Sequence, residues 1–243
     1  MSRMKRLRIK PAIYDYCWLL TRPAVQTLRK LDAITDSGPE TRILDIGCGE
    51  KPFRELFGKS NCYIGVDLRA SSQADIYADL NQPLPIKSNS ADIIICSEVL
   101  EHVENPNQLI KEMSRCLTPN GVIYISCPFA YPIHGQPFDY QRLTSYYFTK
   151  TLARCGLKIK ELKVSNSLLT TSLFQACLII EVLPVPRLCK GLVIALINSV
   201  STIVDTLLFA IFREGTAVGE YLCRFPAGYS LLALKNDNNQ SRL

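Results

Sequence analysis

From residue 41 to 164 the chain alternates short β-branched runs with segments whose apolar positions recur at helical spacing. That alternation constrains the fold more than any other feature. TRILDI (41–46), NCYIGVDL (61–68) and DIYADL (75–80) read as strands. ADIIICS (91–97) and GVIYISCP (121–128) read as strands buried on both faces. Between them, NPNQLIKEMSRCL (105–117) sets Leu109, Ile110, Met113 and Leu117 on one helical face, with Asn105 as cap and Pro106 in the first turn. TPNG (118–121) predicts a turn. TSYYFTKTLARCG (144–156) predicts a second amphipathic helix stopped at Gly156, and LKIKELKV (157–164) alternates like a strand. Strands alternating with helices imply βαβ units, hence a mostly parallel sheet with helices on both faces.

Residues 165–225 break this rhythm. SLLTTSLFQACLIIEVLPVP and LCKGLVIALINSVSTIVDTLLFAIF are long apolar stretches separated by Pro184 and Pro186. Each carries a polar stripe: Ser167, Thr171, Gln175 and Glu181 in the first, and Lys190, Asn198, Thr202, Asp205 and Arg213 in the second. Such stripes predict amphipathic helices with an unusually wide apolar face. GYSLLALK (228–235) reads as a last strand, and NDNNQSRL as a polar, disordered tail. The expected organisation is a basic N-terminal tail and helix (1–39), a core (40–164 plus 228–235), a hydrophobic helical insertion (165–227) and the tail (236–243).

A chain of 243 residues suits one α/β domain. The net charge of +6 is modest, but Arg3, Lys5, Arg6, Arg8 and Lys10 crowd an opening segment without an acidic residue. That segment is either a solvated end or a contact for anionic lipid or nucleic acid. The 10 cysteines form no CxxC pair, and Cys96, Cys127 and Cys177 lie in apolar runs, which suits a reducing compartment. IYDYCWLL, short and interrupted by Asp15, does not read as a secretory signal. The expected location is the cytoplasm, with peripheral contact to a membrane surface left open.

ILDIGCGEKPF delivers a strand to Gly47-Cys48-Gly49, where missing side chains let a ligand approach the backbone. A dinucleotide site would place a third glycine at position 52, which is Pro52 here. Asp45 sets an anion beside the loop, which suits a cationic ligand better than a pyrophosphate. S-adenosylmethionine carries a sulfonium and an ammonium. Asp67, at the tip of the second strand, can accept both ribose hydroxyls, and Asp79 comes at the end of the third strand, where it or its neighbouring backbone can read an adenine amino group.

These motifs, with LPIKSNSADIIICSEVLEHVENPNQLIKEMSRCLTPNGVIYISCPF, resemble the class I S-adenosylmethionine-dependent methyltransferases, in particular those with an LEH helix start after the fourth strand. The resemblance covers about residues 40–164 and 228–235. It implies a Rossmann-like seven-stranded sheet, its last strand antiparallel, with helices on both faces and here a helical insertion before that strand. It puts Asp45, Gly47 and Gly49 at the methionine moiety, with Cys48 between them. It puts Asp67 at the ribose beside Leu68, Asp79 and Leu80 at the adenine, and Ser97 and Glu98 at the floor of the site. The chain departs from the pattern at Lys51-Pro52, where many members have another glycine. Strands six and seven normally form a hairpin, so the insertion must return to the same sheet edge, which an odd number of membrane crossings would forbid. The insertion is then a helical cap on the domain or on a second subunit (a homodimer is open), or a membrane-surface element over about 167–212. A two-helix span is disfavoured by the cost of Asp205 in lipid.

Both histidines fall near the expected acceptor side. His102 follows the fourth strand, and His134 shares the loop 128–142 with Asp139, Tyr140 and Arg142. Histidine has the pKa of a general base for a hydroxyl acceptor, so His134, His102, Asp139 and Tyr140 are the candidate catalytic residues. The HGQPFDYQR loop is similar to one in methyltransferases associated with polysaccharide or glycolipid synthesis. Glu98, Glu101, His102 and His134 could also hold a divalent ion, as a similar ExxEH does in some members, but no metal is expected. The function expected is O-methylation of a small or lipid-linked, saccharide-type acceptor. A non-catalytic scaffold in a membrane-associated complex ranks second. Nucleic-acid methylation ranks last, since Ser97-Glu98-Val99-Leu100 stands where an Asn/Asp-Pro-Pro-Tyr motif would, and no nucleic-acid partner is expected.

Overall fold

The computed structural model describes residues 2–35, 38–60, 62–68, 73–211 and 223–235. The polar tail 236–243 and Arg213 lie outside the described residues. Two compact units divide the chain: residues 1–27, 129–132 and 164–229 form the first, and 28–128, 133–163 and 230–243 the second.

The second unit is built on the sheet. Its strands are β1 (Arg42–Ile46), β2 (Cys62–Asp67), β3 (Ile76–Tyr77), β4 (Ala91–Ser97), β5 (Leu117–Pro128), β6 (Leu157–Ser165) and β7 (Gly228–Lys235), in the order β3-β2-β1-β4-β5-β7-β6. β1 pairs in parallel with β2 and β4, β2 with β3, and β4 with β5. The last strand is antiparallel, giving the mixed Rossmann-like sheet that the alternation and the resemblance predict.

Burial explains the pattern. In β4, Ile93, Ile94 and Ile95 are at most 1% exposed, so both faces of this central strand are covered and no alternation survives. Truncating any of the three to alanine would cost about 2–5 kcal/mol. Helix α3 (Pro106–Cys116) turns Leu109, Ile110 and Met113 inward, and Asn105 caps it by accepting from the Gln108 N–H at 3.2 Å. Helix α4 (Ser145–Arg154) starts at its Thr144 cap.

Two local expectations fail. Only Ile76–Tyr77 of DIYADL pairs as a strand, so Asp79 sits in the loop after β3. TPNG is no free turn: β5 begins at Leu117, and the extra residues are absorbed as an irregularity opposite Ala91–Ile93, with Asn120 at φ 62°. A bulge of this kind lets a strand start immediately after a helix.

In the first unit lie α1 (Arg3–Ile9), the start of α2 (Trp18–Thr35), α5 (Leu168–Val182) and α6 (Arg187–Ile211). The basic opening segment is therefore helical. Arg3 pairs with Glu181 at 2.7 Å and Arg6 with Asp15 at 2.6 Å. Trp18, Leu19, Phe174 and Ala227 form a small core, with Tyr131 and Leu178 against it. The Asn198 amide donates to the Ile13 carbonyl at 2.6 Å and the Asp15 carbonyl at 3.2 Å, tying α6 to the segment after α1.

Candidate active site

The ends of β1, β2 and β4, with the segment after β3, bound a cavity of about 220 Å³ in the second unit. Its wall takes in Gly47, Asp67, Leu68, Asp79, Leu80 and Glu98 from the expected cofactor set. Asn81, Val99, His102 and Val103 complete it. Parallel strands present ligands at their carboxyl ends, and all these groups lie there.

Gly47 has φ +67°, and a Cβ on it would stand 2.3 Å from Val99 Cγ2, so the loop needs this glycine for conformation and for space. Gly49 also has positive φ, with open space where its Cβ would be. Its N–H donates to Asp67 Oδ2 at 2.7 Å, and the Leu68 N–H donates to Oδ1 at 2.7 Å, which fixes the Asp67 carboxylate on the cavity wall. Asp79 is oriented by the Asn81 N–H at 2.9 Å. The Lys51 departure has a local reason: Lys51 takes the left-handed conformation a glycine would take (φ 47°) and pairs its ammonium with Asp75, while Pro52 opens a 3-10 turn.

Three expected cofactor residues lie behind the wall. Asp45, 2% exposed, accepts from the Tyr63 hydroxyl at 2.6 Å. Cys48 is buried and its thiol pushed up to about 12, chiefly by burial and then by Asp45 and Asp67, so it packs without ionising. The Ser97 hydroxyl shares a hydrogen bond with that of Ser126 at 2.8 Å. Glu98 adopts φ 56°, a strained conformation of the kind that gathers at functional sites.

The loop after β5 brings the two histidines together, with ring centroids 4.8 Å apart. Gly135, at φ +63°, allows this, because a Cβ there would lie 2.9 Å from His102 Cε1. His102 Nδ1 lies 2.7 Å from the Phe138 carbonyl, which can only accept, so Nδ1 carries the proton and Nε2 of the neutral ring has the lone pair. Asp139 accepts from the His134 N–H at 2.9 Å and lies 3.3 Å from His134 Nδ1. The Arg142 guanidinium, hydrogen-bonded to Asp139, holds that carboxyl well below the usual range. The Tyr140 N–H donates to the Glu101 carbonyl at 2.9 Å, and its exposed hydroxyl reaches Glu104 at 3.5 Å.

Glu101 is the residue that sequence reasoning undervalued. It is fully buried, its Oε2 takes a 3.5 Å contact from the Cys127 thiol, and its Oε1 has no hydrogen-bond partner. That oxygen lies 3.7 Å from His102 Nε2 and 3.6 Å from His134 Nε2. A buried carboxylate oxygen without a donor is costly, so the group is arranged for a proton or a cation between it and the two rings. Glu101, His102 and His134 offer ligand atoms within 4.8 Å of one another, a set that can hold a divalent ion, and Glu98 is not part of it. ExxEH hinted at Glu101. Asn81, Val99 and Val103 gave no signal, since an amide and two valines mark no chemistry by themselves.

Residues 20–156 match the family described as methyltransferase domain. The chain belongs to this methyltransferase family. Among curated relatives, the ubiquinone biosynthesis O-methyltransferase of Histophilus somni (strain 2336) is 26% identical over 106 residues, covering 36% of this chain and 44% of its own. The Coxiella burnetii (strain Dugway 5J108-111) protein of the same name is 34% identical over 98 residues, covering 35% and 42%. The chain thus spans under half the length of these two relatives. In fold, the methyltransferase is similar to Haemonchus contortus phosphoethanolamine N-methyltransferase 2 in complex with S-adenosyl-L-methionine. The TM-score is 0.54 at 18% identity, over 98% of this chain and 60% of that one.

The chain carries a methyltransferase domain over residues 20–156, and S-adenosylmethionine is the cofactor of that family. The site fits that molecule: a carboxylate fixed by two backbone N–H groups faces the cavity at Asp67, and Gly47 keeps the strand end free of side chain.

Proposed function

We propose that this methyltransferase acts on an oxygen nucleophile of a small or lipid-linked, saccharide-type acceptor, with His134 as general base. The observation that carries the reading is the unpartnered Glu101 Oε1 set between the Nε2 atoms of His102 and His134. Asp139 orients the His134 ring from its Nδ1 side, leaving Nε2 to take a proton, and Glu101 stabilises the imidazolium that results. The two curated relatives described above are named O-methyltransferases, which supports oxygen as the atom methylated.

Bound cofactor supplies an electrophilic methyl on a sulfonium. Held by the Asp67 carboxylate and the Gly47–Gly49 loop, it would give that methyl to the acceptor oxygen and leave as S-adenosylhomocysteine, with His134 taking the proton of the acceptor hydroxyl. The products are a methyl ether and S-adenosylhomocysteine. Most of the rate would come from holding oxygen and methyl in line, and the base adds about 10²–10⁴-fold.

The test is methyl transfer to a panel of free and lipid-linked saccharides and phenols. For the acceptor found, wild type and His134→Gln are compared across pH. The reading expects an O-methyl product, a wild-type kcat/KM rising through the histidine range, and a His134→Gln variant at least about 100-fold slower without that limb. An N-methyl product, or a variant that keeps the wild-type profile, would overturn it. No observation favours a nucleic-acid acceptor.

A further inference from the structure

Beside their buried apolar contacts, α5 and α6 bury polar groups and expose apolar ones. Ser167, Thr170, Thr171, Asn198 and Ser201 are all fully buried. Leu188, Leu192, Leu196, Ile203, Leu207 and Ile211, by contrast, are between 55% and 74% exposed. Their spacing of four and seven residues places them on one stripe along α6. Ser167, Thr171 and Asn198 of the polar stripes legible in the sequence thus face the protein while Gln175 is exposed, and the apolar stripe of α6 faces out. Asp205 belongs to the inner set: the Thr170 hydroxyl donates to it at 2.8 Å and the Ser167 N–H at 3.3 Å, so it caps the start of α5 and makes no demand on the outer surface.

Four cations and two carboxylates, Asp15 and Glu181, stand next to this stripe. Arg187 and Lys190 begin α6 and, with Arg3 and Arg6 of α1, line a cavity of about 850 Å³ that Leu188 and Leu192 also line. Arg3 and Arg6 are engaged by Glu181 and Asp15, and the Lys190 ammonium donates to the Glu181 carbonyl at 2.7 Å. Arg187 stands exposed beside Leu188.

We propose that this face docks on an anionic lipid bilayer, α6 lying in the interface with its leucine and isoleucine stripe against acyl chains and Arg187 and Lys190 at headgroup phosphates. An apolar helix face flanked by cations is the pattern of an interfacial helix. A second copy of the chain would bring the same basic groups to the contact. The hairpin lies on the bilayer and does not cross it: α5 has 15 residues, about 22 Å, short of the hydrocarbon core of about 30 Å.

The experiment is co-sedimentation of the full chain with phosphatidylcholine vesicles, alone or with added phosphatidylglycerol, at low and high salt. The controls are circular dichroism and calorimetric titration with S-adenosylmethionine. The docking account expects binding to the anionic vesicles that weakens with salt. It expects Arg187→Glu to weaken that binding at least about fivefold, and Leu192→Glu/Leu196→Glu to abolish it, with spectrum and cofactor affinity unchanged. If the double variant does not fold, Arg187→Glu alone decides. Wild-type protein left in the supernatant with both vesicles would overturn the proposal. So would a solution dimer by light scattering that Leu192→Glu/Leu196→Glu converts to monomer, since the stripe would then be an interface between copies.

Discussion

Gly47 must hold a positive φ and leave room for Val99 at the same place, so the two constraints cannot be relieved separately. Gly47→Ala would strain the backbone and push Val99 into the cavity. A penalty of about 1–3 kcal/mol should weaken S-adenosylmethionine binding at least tenfold, read by calorimetry, and unchanged affinity would show that the loop relaxes. Gly135→Ala is the counterpart at the histidine pair: its Cβ would displace the His102 ring, so the rate of methyl transfer should fall, and an unchanged rate would show that the ring need not stay in place. Asp139 makes a prediction about pH. Its folded pKa is depressed, first by the hydrogen bond from Arg142, so its stabilisation is present above the ordinary carboxylate value and fades as pH falls through the folded one. Asp139→Asn should cost about 2 kcal/mol at neutral pH and flatten the acid limb, as seen in urea melts at pH 7 and pH 3. Equal melts at both would remove the Arg142 pairing from the account.

The helices of the first unit give the clearest prediction at the level of elements. Asp205 ties α6 to the first turn of α5, so Asp205→Ala should lower stability by about 1–2 kcal/mol, visible in thermal melting, without changing cofactor affinity. An unaltered melting curve would mean the cap is not holding α5. This hairpin also marks the limit of what periodicity reveals. The polar stripe through Asn198, Thr202 and Asp205 was visible in the sequence, but a moment has no sign for inside and outside. The Asn198 bonds to the Ile13 and Asp15 carbonyls and the bonds from Thr170 and Ser167 to Asp205 show which way the stripe points. In the sheet the reverse held. Runs such as ADIIICS need no partner to be recognised, because a strand buried on both faces must be apolar throughout. DIYADL shrank to two paired residues because its strand-like composition is met by only a short edge, and TPNG was drawn into β5 by the ladder beside it.

At the scale of the whole molecule, the alternation of strands and helices was enough to predict a mostly parallel sheet, and the order of loop, Asp67 and Asp79 pointed to a cofactor at its strand ends. The proposed catalytic group was less legible, because it depends on Glu101 and His134, far apart in sequence, meeting around one oxygen. Cofactor binding should stabilise the fold by mass action, about 2.7 kcal/mol at a hundredfold excess over Kd, so melting should shift upward with S-adenosylmethionine. The most direct measurement is calorimetric titration of wild type and Asp67→Ala with S-adenosylmethionine. The account predicts micromolar binding by wild type and at least tenfold weaker binding by the variant, whose spectrum stays native. Equal affinity in the two proteins would contradict it and move the cofactor away from the cavity that Gly47 and Asp67 define.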